Sequence, residues 1–277
     1  MSPTAPAFRT GKTMAPRTYL VPIVREIIAK CEFPEEFIVT FRHYTADRAP
    51  DGLFHPSSHP TMGERKLYYY LAHPEAWEPQ PFPYQARMAV MMGSATHDIV
   101  EHALTHRGLL LKPSGTCVHC GRPHGKQPGQ CPEWGVREDR LGRGGHIDGI
   151  LTLDDWGSGV FDLKTCSPTV LRSVIDHDLE FFKARWPKYY GQAQEYMAMT
   201  GYQQTMILFL GMSMGWDLRE FTIPRDEAYI VQLEAKYRSV RAAVDTKTVP
   251  LMHCCTGGAA AKECGATRCS VKKAYGR

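Results

Sequence analysis

At 277 residues and 43% apolar content, the chain is long enough to bury a sizeable core, and neither disorder nor a fibre is indicated. No apolar run approaches the roughly 20 residues a membrane helix needs, and residues 1–20 lack the continuous apolar core of a secretory signal, so a cytoplasmic protein with no membrane partner is expected. A net charge of +4 permits contact with a polyanion but is too mild to argue for one.

Residues 1–18, rich in Pro, Thr, Ser and basic side chains, read as a mobile arm. A short helix follows, with Pro22 in its first turn and Val21, Val24, Ile27 and Ile28 on one face. Ala46 to Pro60 reads as loop, and helical signal returns over Glu64–Ala72 and Ser94–His106. The stretch 112–145 is dense in Gly, Pro, Cys and His and offers little apolar surface, which predicts an insertion folded around a metal. His146–Leu153 and Val160–Thr165 then read as strands, and the intervening Asp154 to Gly159 favours a tight reversal into an antiparallel hairpin. Pro187 opens a helix running to about Met199, with Gly201 where it stops. Thr205–Leu210 is a continuous apolar run suited to a buried strand, with Leu218–Ile223 as its neighbour. Ile230, Leu233, Tyr237, Val240 and Val244 fall at helical spacing after Pro224. This order predicts an α/β core over 19–245 with a small mixed sheet flanked by helices, followed by a Cys-rich segment over 246–277.

Side chains alternate along a strand, so Asp162 and Lys164 project together while Phe161 and Leu163 point the other way. Asp148, on the other strand of the hairpin, can lie opposite them, with Gly149 leaving space beside it. Two converging carboxylates repel unless a cation sits between them, and donors of this hardness suit Mg²⁺ or Mn²⁺. Such a metal with a nearby amine is the equipment of phosphodiester cleavage. An isolated Asp-x-Lys is more often a weak surface pair. Three features favour chemistry here. His97 and Glu101 stand at i and i+4 on a helix anchored by Ile99, Val100, Ala103 and Leu104. Gln192 and Tyr196 repeat that spacing on a later helix, and all these elements follow one order.

Gly93–Glu101, His146–Gly149, Val160–Thr165 and Tyr189–Tyr196 together resemble the successive motifs of RecB-like nucleases of the PD-(D/E)xK superfamily. That family includes the nuclease domains of RecB-type helicase-nucleases, CRISPR-associated RecB-like exonucleases and many phage exonucleases. The resemblance spans about residues 60 to 245 and implies a metal-dependent deoxyribonuclease, chiefly an exonuclease, with DNA as its partner. Recombination or replication proteins are further candidate partners. It implies that His97, Asp148 and Asp162 coordinate the metal, with the backbone carbonyl of Leu163 completing the shell. Glu101 would be an auxiliary ligand or support, Lys164 the catalytic lysine, and Gln192 with Tyr196 the element that supports the site and meets DNA. The competing classes are a non-catalytic, metal-stabilised DNA-binding or assembly module and a site-specific endonuclease of the same superfamily.

Seven of the nine cysteines cluster, which in a reducing compartment points to metal rather than disulfides. Cys117-Val118-His119-Cys120-Gly121 has the spacing and trailing glycine of a zinc knuckle, and Cys131 with either His124 or His119 could close a tetrahedron around Zn²⁺. Cys254, Cys255, Cys264 and Cys269 resemble in position the C-terminal cysteines of the iron–sulfur clamp found in many RecB-like nucleases. The family's upstream cysteine is absent near Met62–Tyr70. Those four could ligate a 4Fe–4S cluster themselves, Cys31 could complete it, or Zn²⁺ could bind with His253 as a ligand. Otherwise Cys31 and Cys166 read as small buried residues.

Overall fold

A computed structural model of the chain describes residues 18–30, 39, 50–77, 81–127, 129–174, 178–212 and 217–250. Residues 1–17 of the expected arm, Cys31, His253 and the C-terminal cysteines Cys254, Cys255, Cys264 and Cys269 lie outside the described residues. Along the chain the elements are α1 (Val21–Ala29), α2 (Glu64–Ala72), α3 (Tyr84–His106), β1 (Leu110–Leu111), β2 (Trp134–Glu138), β3 (Arg143–Ile147), β4 (Gly149–Leu153), β5 (Gly157–Cys166), α4 (Pro168–Val174), α5 (Leu179–Arg185), α6 (Pro187–Thr200), β6 (Gln204–Gly211), β7 (Leu218–Pro224) and α7 (Glu227–Asp245). No helix among the described residues is long and apolar enough to cross a membrane.

Five strands form a mixed sheet in the order β1-β4-β5-β6-β7, and β2 pairs with β3 in a separate antiparallel ribbon. β5 and β6 run parallel because α4, α5 and α6 intervene in the chain, whereas β4–β5 and β6–β7 are antiparallel neighbours. The runs in β5 and β6 bury both faces, so both need helices. Phe161, Leu163, Met206 and Leu208 pack with Val24, Ile27, Val100 and Leu104 from α1 and α3. Val160, Ile207 and Phe209 pack with Phe182, Tyr190, Ala193 and Met197 from α5 and α6. Each such side chain contributes roughly 1.5–3 kcal/mol by leaving water. A third cluster joins α2 to α7, with Phe54 stacked on Tyr237 at 4.0 Å between ring centroids.

Helix ends are satisfied both locally and by distant side chains. α1 has no side-chain cap of its own, and the Glu220 carboxylate of β7 accepts instead from the N–H groups of Tyr19, Leu20 (2.7 Å) and Val21 (2.6 Å). Asp226 caps α7 by accepting from the Tyr229 N–H at 3.0 Å, and Gly201 ends α6 in the left-handed conformation that glycine adopts without strain.

Four expectations are corrected. The segment 146–153 is not one strand. It breaks at Asp148, where the chain leaves the β2–β3 ribbon and enters the five-stranded sheet. At the break a Cβ on Gly149 would lie 2.9 Å from the Leu111 carbonyl oxygen, so only glycine lets β1 approach. α3 begins at Tyr84, ten residues before the expected start. No residue from Tyr84 to Met92 is buried, so those turns carry no core-facing side and their sequence gives little sign of the helix. Ile99 is also exposed and does not anchor α3. Finally, the 112–145 stretch contains β2, whose Val136 joins the apolar cluster on the α6 face.

Candidate active site

Two helices, one strand and the bend between β3 and β4 bring the predicted residues to one cavity. Gly93 brings α3 close to β5, because a Cβ there would stand 3.0 Å from Thr165 Oγ1 at the strand's end. One turn later His97 and Glu101 point toward Asp148. His97 Nδ1 lies 3.5 Å from Asp148 Oδ1 and 3.8 Å from Glu101 Oε1, and one ligand atom from each of the three residues falls within 4.8 Å of the others. Asp148 is held by the Leu163 N–H, which donates to Oδ2 at 2.7 Å. Leu163 thus meets the site through its amide, while its side chain is buried among α1 and α3.

On β5 the alternation works as read. Asp162 and Lys164 share the face that looks toward α6, and Lys164 Nζ lies 2.7 and 2.9 Å from the two carboxylate oxygens of Asp162. The Tyr189 ring stands 5.4 Å from the same amine. On α6, Gln192 Nε2 donates to Tyr196 Oη at 3.4 Å, and that hydroxyl donates to the His146 carbonyl at 2.5 Å. The pair therefore fixes the end of β3, two residues before Asp148. A cavity of about 580 Å³ opens over this constellation. His97, Asp148, Asp162, Lys164, Gln192 and Tyr196 line one side, with Lys66, Tyr70 and Trp77 also in its wall.

Electrostatics show how strongly the place demands positive charge. Burial alone would pull the His97 imidazole down, yet Asp148 and Glu101 outweigh it and raise its pKa to about 10. Burial pushes the Asp148 carboxyl up, but His97, Lys164 and the Leu163 N–H together hold it well below the usual carboxylate range. For Asp162, burial dominates; Lys164 pulls down and Asp148 pushes up, and the net shift is upward. Burial disfavours the charged Lys164 amine, but Asp162 and Asp148 more than compensate, so it stays a cation.

Sequence reasoning missed the two other lysines here. Lys112 Nζ bonds to Glu101 Oε2 at 2.6 Å and also to the Asp148 carbonyl. Lys126 bonds to buried Asp98 and lies 3.6 Å from Glu101 Oε2. No periodic pattern marks either lysine, because both sit outside helices and strands.

A second cluster lies beside the first. Cys117, Cys120, Cys131 and His146 each offer a ligand atom within 4.8 Å of the others, and His146 Nε2 is 3.5 Å from Cys117 Sγ. The expected fourth partners are elsewhere. His124 Nδ1 faces the Cys131 carbonyl at 3.3 Å, and the His119 ring packs edge-on against His146 at 4.6 Å. Burial pushes the Cys120 thiol up, but the Arg122 side chain, 3.5 Å from the sulfur, and the Arg122 backbone amide bring it down to about 7. Asp51, His55 and His119 form a third group, with His55 Nε2 2.8 Å from Asp51 Oδ1. Cys166 is half-buried, its thiol pushed up to about 11 by burial.

No family model matches the chain, and no curated protein matches it. Among solved structures, the chain is similar to an alkaline exonuclease from Laribacter hongkongensis. The two share 16% identity over 72% of this chain and 91% of that one, with a TM-score of 0.44. The same exonuclease in complex with dAMP gives 16% identity, the same coverage and a TM-score of 0.43. Likeness at this level transfers no activity, so what the chain does must come from the chemistry of its own side chains.

Proposed function

We propose that the chain is a divalent-metal-dependent deoxyribonuclease acting on DNA ends. The supporting observation is the convergence of His97, Glu101 and Asp148 within 4.8 Å, beside the Asp162–Lys164 pair, at one cavity. The donor set fits a hard cation: the oxygens of three buried carboxylates, Glu101, Asp148 and Asp162, and the His97 imidazole, which would give up its proton to the ion, with Lys164 paired to Asp162 beside them. His97, Asp148 and Asp162 would hold Mg²⁺ or Mn²⁺, with the Leu163 carbonyl and Glu101 in support. When bound, such an ion makes water a competent nucleophile at neutral pH and takes up charge on the phosphate.

The protein's own groups do the rest. Lys164 is a fixed cation at the cavity wall and stabilises negative charge gathering on the phosphoryl oxygens, its direction set by Asp162 and Tyr189. The Leu163 N–H orients Asp148, and Tyr196 with Gln192 holds the bend that presents it. Lys66, Tyr70 and Trp77 suit a strand end, an amine for a phosphate and aromatic faces for a base.

The test is incubation of purified protein with linear and closed circular DNA under Mg²⁺ or Mn²⁺. Linear DNA should be degraded and circular DNA spared, with Asp162→Ala and Lys164→Ala each slowing cleavage by roughly a hundredfold or more. Full activity in either variant would overturn the assignment. Tight DNA binding without cleavage under any divalent ion would instead show a binding module.

A further inference from the structure

We infer that Cys117, Cys120, Cys131 and His146 form a closed structural Zn²⁺ site that ties the 112–145 segment to the strand leading into Asp148. Three thiols and one imidazole are the soft donor set of tetrahedral zinc, and a full shell of four protein ligands leaves no place for a reacting water.

Several features of the surroundings are what such a site requires. Cys117 and Cys131 are almost fully buried. Gly135 stands directly opposite His146 in the β2–β3 ribbon, and a Cβ there would come within 2.3 Å of Cys117 Sγ. The ribbon therefore lacks a side chain at the one place where the sulfur must pass over it. Gly121, after the second cysteine, takes a positive φ of 71°, and its N–H donates to the Cys117 carbonyl at 2.9 Å, closing the knuckle turn. The Arg122 Nε–H points at Cys120 Sγ and favours the thiolate. Behind His146, Glu133 Oε2 lies 3.8 Å from Nδ1 while Nε2 faces Cys117, so the carboxylate stands on the side of the ring away from the thiols, where a zinc-bound histidine would find an orienting partner.

The consequence reaches the neighbouring centre. His146 lies two residues before Asp148, and its carbonyl receives the Tyr196 hydroxyl. From the same segment, Lys126 reaches Asp98 and Glu101 on α3. Zinc held by His146 thus braces the bend at Asp148 from the strand side, and the lysine braces it from the helix side.

The site goes beyond the nuclease proposal and is tested without an activity readout. Zinc per chain is measured by mass spectrometry on the full-length protein, purified without added zinc, for the wild type and for His146→Asn, His146→Cys and His124→Ala. His146→Asn should hold one equivalent less than the wild type, whatever the C-terminal cysteines bind, while His146→Cys and His124→Ala keep the wild-type content. Retention of full zinc by His146→Asn, or loss of that equivalent by His124→Ala, would overturn the inference. Should the asparagine variant fail to fold, cobalt replaces zinc in the wild type and in His146→Cys. A shift of the tetrahedral d–d bands to longer wavelength in the cysteine variant, as a fourth thiolate joins the shell, supports the site, and an unchanged spectrum overturns it. A protein that keeps its zinc but cuts no DNA would leave this inference standing and sink only the nuclease proposal.

Discussion

Glu195 is fully buried on α6, with the Tyr237 hydroxyl beside it and the charges of Arg143 and Lys236 farther away. Burial outweighs these neighbours and raises its pKa to about 7. An acid whose folded pKa lies above its unfolded value favours the folded state at low pH. That contribution is full below about 4.5 and is lost as pH rises through about 7. Urea denaturation should therefore show stability falling by roughly 3 kcal/mol across that window, with Glu195→Gln flattening the fall. An identical pH profile in the variant would place the dependence elsewhere. The Asp162–Lys164 pair was legible because strand alternation admits only one relative orientation. The nearness of His146 to the thiols was not, because it comes from the antiparallel pairing of β2 with β3, which sets Gly135 opposite His146.

Among the elements, long amphipathic pieces were readable and hinges were not. α2 spans Glu64–Ala72 as expected, and α6 starts at Pro187 and stops at Gly201, because proline and a left-handed glycine act locally at its ends. The break at Asp148 was invisible, since Ile147 before it and Ile150 and Leu151 after it are all buried strand formers. β1 is only two residues long, and α4 and α5 seven each, too short for a period to show. The docking of α1 was equally hidden, because Glu220, which receives its first N–H groups, lies about 200 residues away. Replacing that carboxylate should cost about 2 kcal/mol. Glu220→Ala is expected to lower the urea midpoint and to raise hydrogen exchange over Val21–Ala29. Unchanged protection there would mean that apolar packing of Val24 and Ile27 suffices.

In the whole molecule, the mixed sheet follows from one arithmetic fact. Neighbouring strands with short connections return antiparallel, while three helices between β5 and β6 force a parallel crossover. That crossover places α6 across β5 on the face carrying Asp162 and Lys164, while α3 delivers His97 from beyond the bend at Asp148. The site thus depends on topology as much as on residues. It is tested most directly by an anomalous difference map, recorded at the manganese edge, from crystals of the protein soaked in Mn²⁺. A peak in contact with Asp148 and with His97 or Asp162 is the expected result. Its absence, with Lys112 still joined to Glu101 and the Asp148 carbonyl, would contradict the assignment.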